Sequence, residues 1–384
     1  MIQVADEPQR AISATCWAEI DLSVLRTNVE VLRRQAEPAG VAAVVKADAY
    51  GHGAVAIALA ALEAGAERLC VFTVREAVEL REAGIAAPIL CLGPVLNGDS
   101  RQIAEHDIAA VVDSDETAIK LASAALEAGV RVRAHINIDS GMQRYGLAHD
   151  RAVALAEQVR ATPSLDLEAV FTHFPDAANA DRSGTHNAFR RFQRTADQIG
   201  APMRHAAASA ATFNLPQSSL DFVRAGIALY GMDPAPELKL PEAQELHPVM
   251  SWKTSLLAIR QVRQGESVSY GGLWTAHRDS RIGIIGAGYA DGLRRRLGES
   301  GAMLVRGQRA PIRGAICMDS TMIDLTDITD AAAGDTVTII GRDGSEAISA
   351  WDLARQLDTI PYEIFTSISA RVPRLVVDPA NSES

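Results

Sequence analysis

Eight short β-prone runs recur through the first 225 residues: Val41–Val45, Leu69–Phe72, Ile89–Leu92, Ile108–Val112, Val132–Ile138, Leu167–Thr172, Met203–Ala207 and Phe222–Arg224. Between most of them lie Ala-rich segments with helical apolar spacing, such as Ala54–Ala64, Glu76–Ala83, Glu116–Glu127, Arg151–Val159 and Ala188–Ile199. Gly65, Gly84, Gly129 and Gly200 follow several of these segments, where a helix ends on a left-handed residue. Strand–helix alternation repeated eight times predicts an α/β fold, a parallel (β/α)8 barrel of the TIM type. An open doubly wound sheet is the alternative. Eight strands of even weight favour closure.

After Gly231 the texture changes. Pro234, Pro236 and Pro241 fall close together and read as a linker. Beyond them, β-branched runs separated by Gly turns (Ser255–Val262, Arg281–Ala287, Met303–Arg306, Thr321–Leu325, Thr336–Ile340) predict a mostly-β domain, with helical periodicity returning only at Ile348–Leu357. The expected division is a barrel over 21–238 and a β domain over 239–384, joined by an N-terminal strand over 13–20.

A formal charge of −11 argues against nucleic acid or an anionic membrane as partner. An apolar share of 48% excludes wholesale disorder. The four cysteines, Cys16, Cys70, Cys91 and Cys317, form no CxxC pair, which fits a reducing compartment and neither a disulfide framework nor a metal site. Met1–Ala14 is polar and lacks the apolar core of a secretory signal, and no apolar stretch reaches membrane-spanning length. A soluble cytoplasmic protein is the expectation.

In a (β/α)8 barrel the chemistry sits at the C-terminal ends of strands. Lys46 follows the first run, in Val44-Val45-Lys46-Ala47-Asp48-Ala49-Tyr50-Gly51-His52-Gly53. A lysine ending an apolar strand is desolvated, which lowers its pKa and suits it to a Schiff base. Arg144 follows the fifth run on a Gly-flanked loop. His173 follows the sixth, Ser209 the seventh, and Arg224, Gly226 and Ile227 the eighth. The ends of strands seven and eight are where such barrels bind phosphate, through backbone N–H groups. Tyr50 offers a hydroxyl. Taken singly, a core histidine or a capping serine accounts for His173 and Ser209 equally well. Jointly, a lysine, a phosphate site and strand-end arginines suggest pyridoxal phosphate.

With these residues in place the chain resembles alanine racemase, the fold type III family of pyridoxal-phosphate enzymes. The likeness runs from Trp17-Ala18-Glu19-Ile20-Asp21 to Ala370-Arg371-Val372-Pro373-Arg374 and includes Asp139–Gly146, Thr172–Phe174, Arg224–Gly231, Ser269–Gly272, Gly288–Gly292 and Cys317–Asp319. The resemblance implies interconversion of L- and D-alanine by two bases. Lys46, carrying the cofactor as a Schiff base, would take the α-proton of the D-isomer, and Tyr270 that of the L-isomer. A free tyrosine titrates near ~10, so Tyr270 would need cations beside it, His173 and the cofactor-site arginines being the candidates. The resemblance further implies that Arg224 faces the pyridine nitrogen and that His173 positions Arg224. Tyr50, Ser209, Gly226 and Ile227 would hold the phosphate. Arg144 would contact cofactor and substrate carboxylate, Met318 would offer its backbone to that carboxylate, and Tyr289 would line the access channel. Tyr270 would act in the partner subunit of a head-to-tail homodimer.

Three positions depart from the family pattern. Asn137 stands where a lysine, often carbamylated, precedes Arg144, so another group, such as a bound anion, must orient that arginine. Ala208 replaces the asparagine before the phosphate serine. Ala370 replaces a tyrosine that narrows the substrate site, which opens broader specificity or serine racemisation as an alternative. A fold type III decarboxylase is less favoured, because the only C-terminal cysteine, Cys317, lies in a racemase-like Cys-Met-Asp context. A nucleotide-binding reading of Gly283–Gly288 is weak, since no helix follows closely.

Overall fold

In the computed structural model, which describes residues 14–378, the first strand, β1 (Cys16–Asp21), does not join the repeating part of the chain. It belongs to the unit formed by the described residues up to Ser23 and from Pro248 onward. Val24–His247 forms the other unit.

Within Val24–His247 the eight runs form β2 (Gly40–Val44), β3 (Arg68–Val71), β4 (Ile89–Cys91), β5 (Ile108–Val111), β6 (Val132–Asn137), β7 (Leu165–Phe171), β8 (Met203–His205) and β9 (Phe222–Ala225). From β2 to β8 each pairs in parallel with the next, and β9 pairs in parallel with β2, Ala42 opposite Arg224. Backbone bonds from Asp221 N–H to Arg204 O (3.1 Å) and from Arg224 N–H to Ala207 O (2.9 Å) link β9 to the β8 side. The sheet is therefore a nearly closed barrel and not an open one. Its strands are enclosed on both faces, as helix-covered parallel strands must be, which is why they read as continuous apolar runs.

The crossover helices start and stop where the sequence provides. Thr73 and Glu76 form a reciprocal capping box at Val74–Glu82, and Ser114 accepts the Thr117 N–H at Asp115–Ala128. Such caps are each worth about 1 kcal/mol. Gly129 and Gly200 end their helices at φ of 69° and 63°, a region costly for residues with a Cβ.

Residues 239–247 stay with the barrel. Fully buried Asn28 explains this: its Nδ2 donates to Leu229 O (3.2 Å) and His247 O (2.8 Å), and its Oδ1 accepts the His247 N–H (2.9 Å).

In the other unit, β1 pairs antiparallel with β10 (Met250–Val262) and parallel with the strand Arg374–Val377. The strands Ser280–Ile285, Ala302–Val305, Thr321–Asp324 and Thr336–Asp343 extend the sheet, and the helix Ala350–Leu357 follows. Trp252 on β10 is buried and donates its indole N–H to Cys16 Sγ at 3.0 Å. Gln308–Pro311, Glu346–Ile348 and Arg374–Val377 are among the strands that lie outside the sequence runs. They are short and carry charge, so their apolar signal is faint. The sequence reading of Met1–Ser13 lies outside the described residues. Among those described, no helix is long and apolar enough to cross a membrane.

Candidate active site

Lys46 stands directly after β2, partly buried, with Nζ 5.7 Å above the Phe72 ring. Burial lowers its pKa from the usual lysine value, and the positive charge of Arg144 lowers it further. The four residues after it, Ala47, Asp48, Ala49 and Tyr50, all have φ between 52° and 54°, one left-handed turn built without glycine. Such a conformation costs roughly 1–2 kcal/mol per residue, so its neighbours must hold it. Glu76 accepts the Ala47 N–H (2.7 Å) on one oxygen and the N–H groups of Phe72 and Thr73 on the other. Asp48 accepts the Ala54 N–H at 2.7 Å. The turn brings Tyr50 back inside, 7% exposed, its ring 4.9 Å from that of Tyr230.

At the ends of β8 and β9 the residues expected to hold phosphate come together. Ser209 Oγ accepts the N–H groups of Gly226 (2.9 Å) and Ala228 (3.3 Å), so its own proton points elsewhere. A Cβ on Gly226 would stand 2.7 Å from Tyr50 Oη, so only glycine leaves the tyrosine hydroxyl in place. Ile227 is buried behind them.

Arg224, on β9, is 3% exposed, and burial pushes its pKa down to about 10. Its Nη2 donates to Thr172 O (2.7 Å) and Ala206 O (3.1 Å). The expected contact with His173 Nδ1 is long, at 3.5 Å. The short contact, 2.6 Å, is from Nη1 to Nδ1 of His205, on β8. His205 went unnoticed in the sequence because it lies inside an apolar run. The signal was there, since a polar residue in a parallel barrel strand has no solvent face to occupy.

His173 is the point of difference. Burial first, and then Arg224, Arg144 and Lys46, push its pKa down to about 3. It is neutral at ordinary pH and supplies no positive charge to a phenolate. The cations of this unit's site are the arginines and Lys46.

Arg144 sits on an exposed loop, its Cζ 5.6 Å over the Tyr145 ring, and no carboxylate lies within ion-pair range of it among the described residues. Asn137 is buried where β6 ends. Asn137, Asp139, Arg144, Thr172 and His173 line a hollow of water size.

In the other unit three loops converge. Ser269, at φ 67°, donates Oγ–H to Ala315 O (2.7 Å) and places Tyr270 next to the Cys317 segment. Tyr289 N–H donates to Cys317 O and Ala290 N–H to Met318 O, both 3.0 Å. Gly288 passes so close to Met318 that a Cβ there would lie 2.3 Å from its carbonyl oxygen. Tyr270 (74%), Met318 (53%) and Tyr289 (43%) are all exposed.

The barrel-end donors suit a planar group with an aldehyde, a phosphate and a basic ring nitrogen. There is an amine of lowered pKa, a serine hydroxyl that accepts two backbone N–H groups beside Gly226, and a buried guanidinium. Arginine donates but does not give up its proton.

Comparison with known proteins agrees with this geometry. Residues 20–234 match the family described as alanine racemase, N-terminal domain, and residues 249–376 the family described as alanine racemase, C-terminal domain. The alanine racemase of Halothermothrix orenii is 40% identical over 371 residues, covering 95% of this chain and 97% of that protein. That of Methanococcus maripaludis is also 40% identical, covering 95% and 99%. Among solved structures, alanine racemase from D-cycloserine-producing Streptomyces lavendulae superposes with a TM-score of 0.90 at 36% identity, covering 96% of this chain and 98% of that one. The Bacillus anthracis enzyme with bound L-Ala-P superposes with a TM-score of 0.89 at 36% identity, covering 97% of each.

Proposed function

This chain belongs to the alanine racemase family, isomerases that work with pyridoxal phosphate, and on that premise we propose how its own residues divide the labour. When bound, the cofactor supplies an aldehyde that couples to amines and an electron-withdrawing ring that acidifies the α C–H of an amino acid. Lys46 would anchor that aldehyde and act as the base on one face. Its lowered pKa leaves more free amine near neutrality to accept a proton. Tyr270 is the base on the opposite face. Two bases are needed because a single one would have to cross the cofactor plane.

Arg224 faces the ring nitrogen and donates a hydrogen bond without surrendering its proton, which restrains the ring's electron demand. Tyr50, Ser209 and the Gly226 and Ile227 backbone hold the phosphate. Gly226 N–H, bonded to Ser209 Oγ, would share the phosphate with that hydroxyl. Arg144 and the Met318 backbone hold the substrate carboxylate, and Tyr289 lines the access path. The exposure of Tyr270, Leu273, Tyr289 and Met318 supports a homodimer in which this face completes the partner's site.

The observation that carries the reading is the meeting of Lys46, Arg224, Ser209 and Tyr50 at one end of the barrel. The test is chiral separation of products from cofactor-loaded protein given L-alanine and L-serine side by side. Fast alanine turnover with little serine turnover supports an alanine racemase and makes Ala370 neutral. Comparable serine turnover assigns Ala370 a part in broadening specificity. Retention of chirality by both substrates overturns the reading. Sedimentation at assay concentration should give a dimer, and an active monomer would refute shared sites.

A further inference from the structure

Arg224 is enclosed in the barrel and, among the described residues, has no carboxylate beside it, yet a carboxylate lies at the far end of an unbroken polar chain. Arginine has no acceptor, so His205 Nδ1, 2.6 Å from Arg224 Nη1, must accept. The proton of His205 is then on Nε2. That nitrogen lies 3.1 Å from His135 Nδ1, which must accept in turn. The proton of His135 is therefore on Nε2, which lies 2.6 Å from Glu168 Oε2. The other Glu168 oxygen is 3.5 Å from Arg68 Nη1.

Every member of this chain is fixed. His135 and His205 are fully buried. The His205 ring lies between Phe171 (4.7 Å, 5° between planes) and Phe222 (4.2 Å, 23°). Burial lowers the pKa of both histidines, which favours the neutral ring, with one proton, that this order of donors requires. Burial alone would raise Glu168, but the His135 hydrogen bond and the charges around it, Arg68 and Arg133 included, hold it well below the usual carboxylate range.

We propose that Glu168 is a remote positioning residue for the reaction: through His135 and His205 it imposes the one proton arrangement that gives Arg224 an acceptor behind it and leaves the guanidinium aimed at the cofactor's ring nitrogen. This rests on the placement of Arg224 given above. Glu168 touches neither cofactor nor substrate. Without its negative oxygen the two imidazoles can reverse, His205 then presents an N–H to Arg224, and two donors face each other. Loss of the acceptor turns the guanidinium away from the ring.

The experiment uses cofactor-loaded enzyme with ¹⁵N-labelled histidine, wild type and Glu168→Gln, with Glu168→Leu as a second variant. Imidazole ¹⁵N spectra report which nitrogen carries each proton. For wild type the expectation is neutral Nε2–H tautomers at both His135 and His205. In Glu168→Gln, where an amide must place a donor toward either His135 or Arg68, we expect the Nδ1–H form of His205 to become populated. We also expect kcat to fall about tenfold with KM changed less than twofold, because substrate contacts are untouched. A doubly protonated or Nδ1–H His205 in wild type overturns the proposal, even if neither variant folds. Unchanged tautomers and unchanged kcat in a folded variant overturn it as well. The tautomers can be read whether or not alanine is racemised, so failure of the relay and failure of the functional reading are distinguishable.

Discussion

Arg371 places Nε 3.0 Å from Oδ1 of Asp291 and reaches Asp319 with Nη2 at 2.8 Å, so one guanidinium ties the turn carrying Tyr289 to the turn carrying Met318. Asp291 also accepts the Gly288 N–H at 2.8 Å, and its side chain is 6% exposed against 51% for Arg371. That asymmetry orders two mutations. Asp291→Ala strands a buried N–H and should cost about 1–3 kcal/mol. Arg371→Ala should cost less, since its charge is hydrated and Asp291 keeps the Gly288 bond. Arg371→Lys should not restore the full effect, because a point charge cannot reach two carboxylates in fixed directions. Urea unfolding of the three variants checks the order, and a costlier Arg371→Ala would contradict it.

The two-base assignment separates proton exchange from racemisation. Tyr270→Phe removes the base on one face and should slow racemisation by roughly 10²–10⁴-fold. Lys46 is untouched, so D-alanine in D₂O should still exchange its α-hydrogen with retention of configuration, while L-alanine should not. Proton NMR of each isomer with the variant decides this. Exchange of both isomers at equal rates would mean that one group serves both faces.

Gly226 offers a packing test of the proposed phosphate site. Gly226→Ala puts a methyl 2.7 Å from Tyr50 Oη and should displace the hydroxyl. Loss of one such hydrogen bond corresponds to about 1 kcal/mol, or roughly fivefold weaker cofactor binding. Tyr50→Phe should lose a similar amount, and the double variant should lose no more than either single one, because the clash and the hydrogen bond share an atom. Fluorescence titration of the apo-protein with pyridoxal phosphate reads all three. Strict additivity would place Tyr50 outside the site.

The barrel was legible because β2 to β9 are buried on both faces and so carry unbroken apolar signals with helices between. Lys46, Ser209 and Arg224 were legible for a related reason, each being polar and standing where such a run ends. His205, His135 and Glu168 were not. They lie inside strands, where a lone polar residue in sequence gives no hint of its partner, and the contacts joining β9 to β8, β6 and β7 arise only when the barrel closes. Glu76 was hidden differently. Its capping role was readable as Thr73-x-x-Glu76, but its second duty, holding the Ala47 N–H 29 positions away, depends on the left-handed turn after Lys46. The charge state of His173 also escaped sequence reasoning, since it depends on burial and on three cations brought together from separate parts of the barrel.

That charge state makes a prediction about acid. His173 has a folded pKa of about 3 against 6.5 for the free group, so below 6.5 the unfolded chain binds a proton that the folded chain does not. A depressed folded value gives stability that is fully present above 6.5 and is lost progressively as pH falls toward 3. The buried His205 and His135 act in the same direction, as does Glu168 at lower pH. The slope of unfolding free energy against pH should therefore be positive below 6.5, and each such histidine adds up to about 1.4 kcal/mol per pH unit. Replacing His173 with Asn removes one of these protons without removing a neutral polar side chain. Its slope should be shallower than that of wild type by up to that amount, with the two stabilities drawing together as pH falls. Urea unfolding of the cofactor-free protein at several pH values between about 6.5 and 5 measures it, and parallel slopes would show that His173 is protonated alike in the folded and unfolded chain.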